Sequence, residues 1–147
     1  MSQGITNPAE PFFKDGQWGW DGTVWRKLPM IFGYSDAYHE PESSLTGAAG
    51  DRLLTASTVP EGEVWVVTSV IAFNIDSATT NTRIQIYDGS GRAVVFVEYA
   101  PAAKKVLGGH CNIVMKKDDR LEAKFFGCAL DDDIYMYING YKMKVEE

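Results

Sequence analysis

The hydrophobic pattern changes character near Gly50. From there to the C-terminus, apolar and polar positions alternate with a period of two, the signature of β-strands. Val64 to Ile75 is apolar on both pleat faces, with Val64, Val66, Val70 and Ala72 on one side and Trp65, Val67, Ile71, Phe73 and Ile75 on the other. A strand of that kind is covered on both sides. Thr82 to Tyr87 alternates cleanly, Ala93 to Tyr99 is apolar at neighbouring positions, and Cys111 to Met115 is short. Leu121, Ala123 and Phe125 alternate with Arg120, Glu122 and Lys124, as in a sheet with one wet face. In the last strand, Ile134 to Val145, the apolar set moves from Ile134, Met136 and Ile138 to Tyr141, Met143 and Val145. A β-bulge at Asn139-Gly140 that restores the inward face accounts for the slip.

Turn chemistry separates these runs. Pro60-Glu61-Gly62, Ser77 to Asn81, Asp88-Gly89-Ser90-Gly91 and Lys116 to Asp119 all carry turn residues. No ten-residue amphipathic helix pattern occurs anywhere. Seven or eight short strands at regular spacing predict an all-β fold, an antiparallel jelly-roll-like β-sandwich over residues 51–147.

Residues 1–50 differ. Pro8, Pro11, Gly4 and two Asp-Gly turns, each followed by a tryptophan, predict an extended, aromatic-rich N-terminal arm. Leu28 to Tyr34 is apolar but broken by Pro29, which suits an edge or extended segment. His39 to Gly50 has the composition of a loop. Phe12, Phe13, Trp18, Trp20, Trp25, Phe32, Tyr34 and Tyr38 fall in this segment, which has no core of its own. They are expected to pack on the sandwich, a neighbouring subunit or a target. Packing or subunit contact takes precedence over sugar stacking, because Trp and Tyr are enriched at interfaces.

Composition narrows the function. The chain has 147 residues, 45% of them hydrophobic, enough for a buried core without metal or disulfides. Its net charge is -6 and its Lys and Arg residues are scattered, which argues against binding nucleic acid. Met1 to Glu10 lacks a basic start and an apolar run, and no stretch approaches the roughly 20 apolar residues of a membrane span. The expectation is synthesis in the cytoplasm, with no membrane partner. Cys111 and Cys128 flank the turn at Lys117-Asp118. In a hairpin centred there they would not face each other, so two free thiols are expected.

Candidate chemistry is sparse. His39 and His110 are the only histidines, so the clustered ligands of a metal site are missing. Ser35, Asp36 and His39 are close in sequence, but turn formation by Ser and Asp explains them better than a nucleophile does. Asp131-Asp132-Asp133 lacks the spaced ligands and glycine of a calcium loop. No carboxylate pair and no phosphate-binding glycine loop stands out. The expectation is a non-enzyme with no cofactor and no metal.

Several phrases resemble small virion proteins of tailed bacteriophages. They are Phe12-Phe13, then Trp20-Asp21-Gly22-Thr23-Val24-Trp25-Arg26-Lys27-Leu28-Pro29, then Val59 to Trp65, and finally Asp132 to Tyr135 and Asn139 to Met143. Asp118 departs from the pattern, since similar jelly rolls often carry Gly before Asp in that turn. The resemblance implies a capsid decoration protein that stabilises the head, on the capsid surface of the virion. Its partners would be other copies of itself, as a homotrimer, and the major capsid protein. Phe12, Phe13, Trp18, Trp20, Trp25, Phe32 and Tyr34 are the contact residues expected on this reading. The alternative is a receptor- or glycan-binding module of a phage tail or fibre.

Overall fold

A computed structural model describes residues 18–20, 23, 25–27 and 34–145, with side chains from residue 35 onwards and at Thr23. Ten strands are present among the described residues. Strands β1 (Trp18–Trp20) and β2 (Trp25–Lys27) form an antiparallel pair whose register sets Trp20 opposite Trp25. The connection between them holds the second Asp-Gly dipeptide.

The remaining strands are β3 (Tyr34–Ser44), β4 (Gly50–Thr55), β5 (Glu63–Asn74), β6 (Asn81–Tyr87), β7 (Arg92–Tyr99), β8 (Leu107–Met115), β9 (Arg120–Cys128) and β10 (Ile134–Lys144). They form two four-stranded antiparallel sheets, ordered β3-β10-β5-β8 and β4-β9-β6-β7. The pairings are nested: β6 with β7, β5 with β8, β4 with β9, β3 with β10. The sheets pack face to face as a β-sandwich. Leu54, Ile84, Leu121, Ala123 and Phe125 from one sheet meet Val67, Val70, Met115, Ile134, Met136 and Ile138 from the other. All of these are buried, and all but Leu54 and Ile138 completely so.

Strand β3 corrects two sequence expectations. His39 to Ser44 belongs to this strand and not to a loop, and the sandwich begins before residue 50. The strand holds Pro41 and the acids Asp36, Glu40 and Glu42, all of which disguise it. An edge strand tolerates them, because one side of its backbone has no ladder and charge discourages pairing with another chain.

The slip at Asn139-Gly140 is also placed differently. The register against β5 does shift there, but the extra residue is Thr68 in β5. Gly140 and Lys142 therefore stay on the core side, opposite Val67 and Trp65, while Tyr141 and Met143 lie on the outer face. The Lys142 ammonium sits 4.2 Å above the Trp65 ring and 5.4 Å from the Tyr38 ring. Burial, then the carboxylate of Glu40, pushes the Tyr38 hydroxyl far above its usual value. In β5 the inward set is Trp65 and Val67, then Val70 and Ala72 beyond Thr68.

The turn at Lys117-Asp118 does not close a hairpin. It carries the chain from β8 in one sheet to β9 in the other, which also separates the two thiols. Both cysteines are free, and burial pushes each thiol above its usual value. Asp118 adopts φ 72°, the left-handed region that costs an L-residue about 1–2 kcal/mol. Asp118→Gly is therefore expected to stabilise the protein by about 0.5–1 kcal/mol, allowing for the freedom glycine loses on folding. Urea unfolding measures this, and an unchanged midpoint contradicts it.

Candidate assembly surface

The sequence-predicted contact residues divide in two. Phe12, Phe13 and Phe32 lie outside the described residues. Trp18, Trp20, Trp25 and Tyr34 fall in strands β1, β2 and β3, and their side chains lie outside the described residues.

The outer face of β3-β10-β5-β8 carries a second aromatic group that sequence reasoning noticed only as a two-sided apolar strand. Strand register builds it in rows. Ser43, Tyr135 and Phe73 form one row, and Pro41, Tyr137, Ile71 and Gly108 the next. His39, Asn139, Ser69 and His110 form a polar row beside them. Phe73 and Tyr135 stack with centroids 5.2 Å apart, and Tyr135 and Tyr137 lie 6.2 Å apart with an interplanar angle of only 12°. The three rings form one stacked group on the sheet, with Tyr137 38% exposed.

Next to this group lies a shallow pocket of about 330 Å³ lined by His39, Glu40, Pro41, Tyr137, Ile138 and Asn139. The polar row fixes its wall. His39 Nδ1 and Asn139 Oδ1 are 2.8 Å apart, and the Thr68 hydroxyl donates to the Asn139 carbonyl. Beyond the bulge the same face continues through Tyr141, Met143, Val66 and Val114, of which Met143 and Val66 are buried and Val114 is largely exposed.

The residues considered for catalysis do not converge. Ser35 Oγ donates to the carbonyl of Lys142, Asp36 accepts from the amide of Ala37, and His39 pairs with Asn139. The aspartate run is structural. Asp132 is buried and accepts from Asn74, Ser77 and the Ala129 amide. Burial alone would raise its carboxyl, but those hydrogen bonds and the charge of Arg52 together hold it below the usual range. Among the described residues no group of three or more His, Cys, Asp and Glu is placed to hold a metal ion.

The opposite outer face, on β4-β9-β6-β7, mixes charge with exposed apolar side chains, Leu53, Val94 and Val97 among them. Glu122 was expected on a wet face but is fully buried there. Arg92 Nε donates to its Oε2 at 2.9 Å, Gln85 Nε2 to the same oxygen at 2.9 Å, and Arg120 to Oε1 through Nε and Nη2. Arg92 and Arg120 also lie over the Tyr87 ring. Nothing in the local sequence reveals this network, because Arg92 arrives from another strand. A scan against protein-family models, a search of curated proteins and a search of solved structures each return no match.

Proposed function

We propose that this chain is a non-enzymatic structural protein of a tailed-phage virion, a capsid decoration protein that stabilises the head through subunit contacts. The observation that carries an assembly role is the stacked group of Phe73, Tyr135 and Tyr137 on an outer sheet face that also exposes Val114. Tyr137 is 38% exposed and Phe73 and Tyr135 are half-buried, so docking removes at most about a third of the roughly 150–250 Å² of a large aromatic from each ring. At about 25 cal/mol per Å², each contributes at most about 2 kcal/mol before ordering costs. The assignment to a virion rests on the sequence resemblance. In the same reading the strands form a jelly roll, supported by the nested pairing of eight strands in two sheets. The partners are further copies, as a homotrimer, and the major capsid protein, with Phe12, Phe13, Trp18, Trp20, Trp25, Phe32 and Tyr34 adding to the contact.

The test uses particles that lack the protein. Recombinant chain is expected to bind them, and Phe73→Ser/Tyr135→Ser/Tyr137→Ser is expected to lose binding by at least about tenfold while keeping its β circular dichroism. Deletion of Met1 to Trp25 is expected to lose binding likewise. Wild-type binding by both variants refutes the proposal. The near-parallel rings beside a polar row also favour a second reading, a glycan-binding module of a tail or fibre. A glycan array separates the two, since decoration predicts no signal above background.

A further inference from the structure

The outer face of β4-β9-β6-β7 holds a groove of about 360 Å³ whose lining includes Asp51, Leu53, Arg83, Gln85, Arg92 and Lys124. Strand register sets Arg83 of β6 directly opposite Lys124 of β9. Like charges facing each other across a ladder repel. Both cations are held in place by one ring, with the Arg83 guanidinium 4.5 Å and the Lys124 ammonium 4.6 Å from the centroid of Phe126. Neither has a carboxylate partner among the described residues. Arg83 Nε is buried with no hydrogen-bond acceptor.

The nearby acids are committed elsewhere. Glu122 is saturated by Arg92, Arg120 and Gln85, and Asp51 accepts from the amide of Gly127. Two fixed cations thus face each other without an acid, in a chain whose net charge is -6. Leu53, opposite Lys124 on the other side, is 43% exposed and adds an apolar wall.

We propose that this groove binds a small organic carboxylate, its carboxylate bridging Arg83 and Lys124 and its apolar body lying against Leu53. The carboxylate accepts from Arg83 in the forked geometry guanidinium favours, and Lys124 adds a point charge. A volume of about 360 Å³ falls in the range of small-ligand sites. The site is independent of the assembly face, which lies on the other sheet.

The experiment titrates the whole chain with cyclohexanecarboxylate and follows the Arg83 Nε–H resonance and the Leu53 amide by NMR. Both are expected to shift saturably with the acid, and not with cyclohexanecarboxamide. Arg83→Gln is expected to abolish the Leu53 response. Lys124→Glu places a carboxylate opposite Arg83, so its Arg83 resonance is expected to be shifted before any probe is added and to respond no further. Equal shifts with the carboxamide or with inorganic phosphate, or an unchanged Leu53 response in Arg83→Gln, overturn the proposal.

Discussion

Gly140→Ala is expected to destabilise the protein by at least about 4 kcal/mol, a large share of the stability of an ordinary domain. A Cβ at this position would overlap the carbonyl oxygen of Val66 and lie 2.9 Å from the Val66 carbonyl carbon and 3.0 Å from the Val67 Cα. These are backbone atoms of β5, which is paired on both sides, so they cannot move without breaking two ladders. The close approach follows from the bulge at Thr68, where β10 and β5 change register. Gly62→Ala is the control. Gly62 has φ 79° but nothing within 4 Å of its missing Cβ, so its replacement is expected to cost only about 1 kcal/mol of backbone strain. Urea unfolding of both variants decides the matter. A smaller loss at Gly140 than at Gly62 refutes the argument.

Glu122→Ala is expected to cost about 3 kcal/mol, at the low end for breaking a buried ion pair. Arg92 is 49% exposed and regains water when its partner leaves, whereas Gln85 is buried and loses its acceptor. The same carboxylate gives the protein an acid-sensitive component. Burial alone would raise the Glu122 carboxyl, but donation from Arg92, Gln85 and Arg120 holds it below its usual value. A depressed folded-state value means that the unfolded chain binds the proton first as pH falls. The contribution is therefore complete above the unfolded carboxylate range and is lost as pH falls through the lower, folded value. The gap in stability between the wild-type chain and Glu122→Gln is expected to narrow steadily from pH 5 to pH 2. A gap independent of pH over that range contradicts the assignment.

Much of the sandwich is legible in the sequence. The strands β6, β9 and β10 match their alternating runs and β5 and β7 their continuous apolar runs to within a few residues, because burial on one or both faces is written directly into residue order. β3 is not legible, because an edge strand with one partner needs neither alternation nor a free N–H at every position, and Pro41 shows this. The face assignment of β10 fails beyond Gly140 for a related reason. Pattern reasoning assumes apolar means inward, yet Lys142 lies inward over Trp65 while Tyr141 and Met143 face out. The aromatic group on the outer sheet was half legible. Phe73 stood out in β5, but its stacking with Tyr135 needs the register of β10. The Arg83–Lys124 pair was not legible at all, since only the β6-β9 ladder places the two side by side.

The nested pairing of the strands has a consequence for how the chain reaches this state. Loop-closure entropy grows only with the logarithm of loop length, and each inner ladder shortens the loop that the next must close. β6 and β7 meet across the short Asp88-to-Gly91 connection, whereas β3 and β10 are brought together from opposite ends of the sandwich sequence. The chain therefore closes from its middle outwards, and contact order is spread over successive short steps. β3 is the last strand to be added and, like β4, β7 and β8, pairs with a single neighbour in its sheet, so its amides are expected to exchange with solvent before those of the doubly paired β5, β6, β9 and β10. The strand that its composition hides is also the one that closes the longest loop.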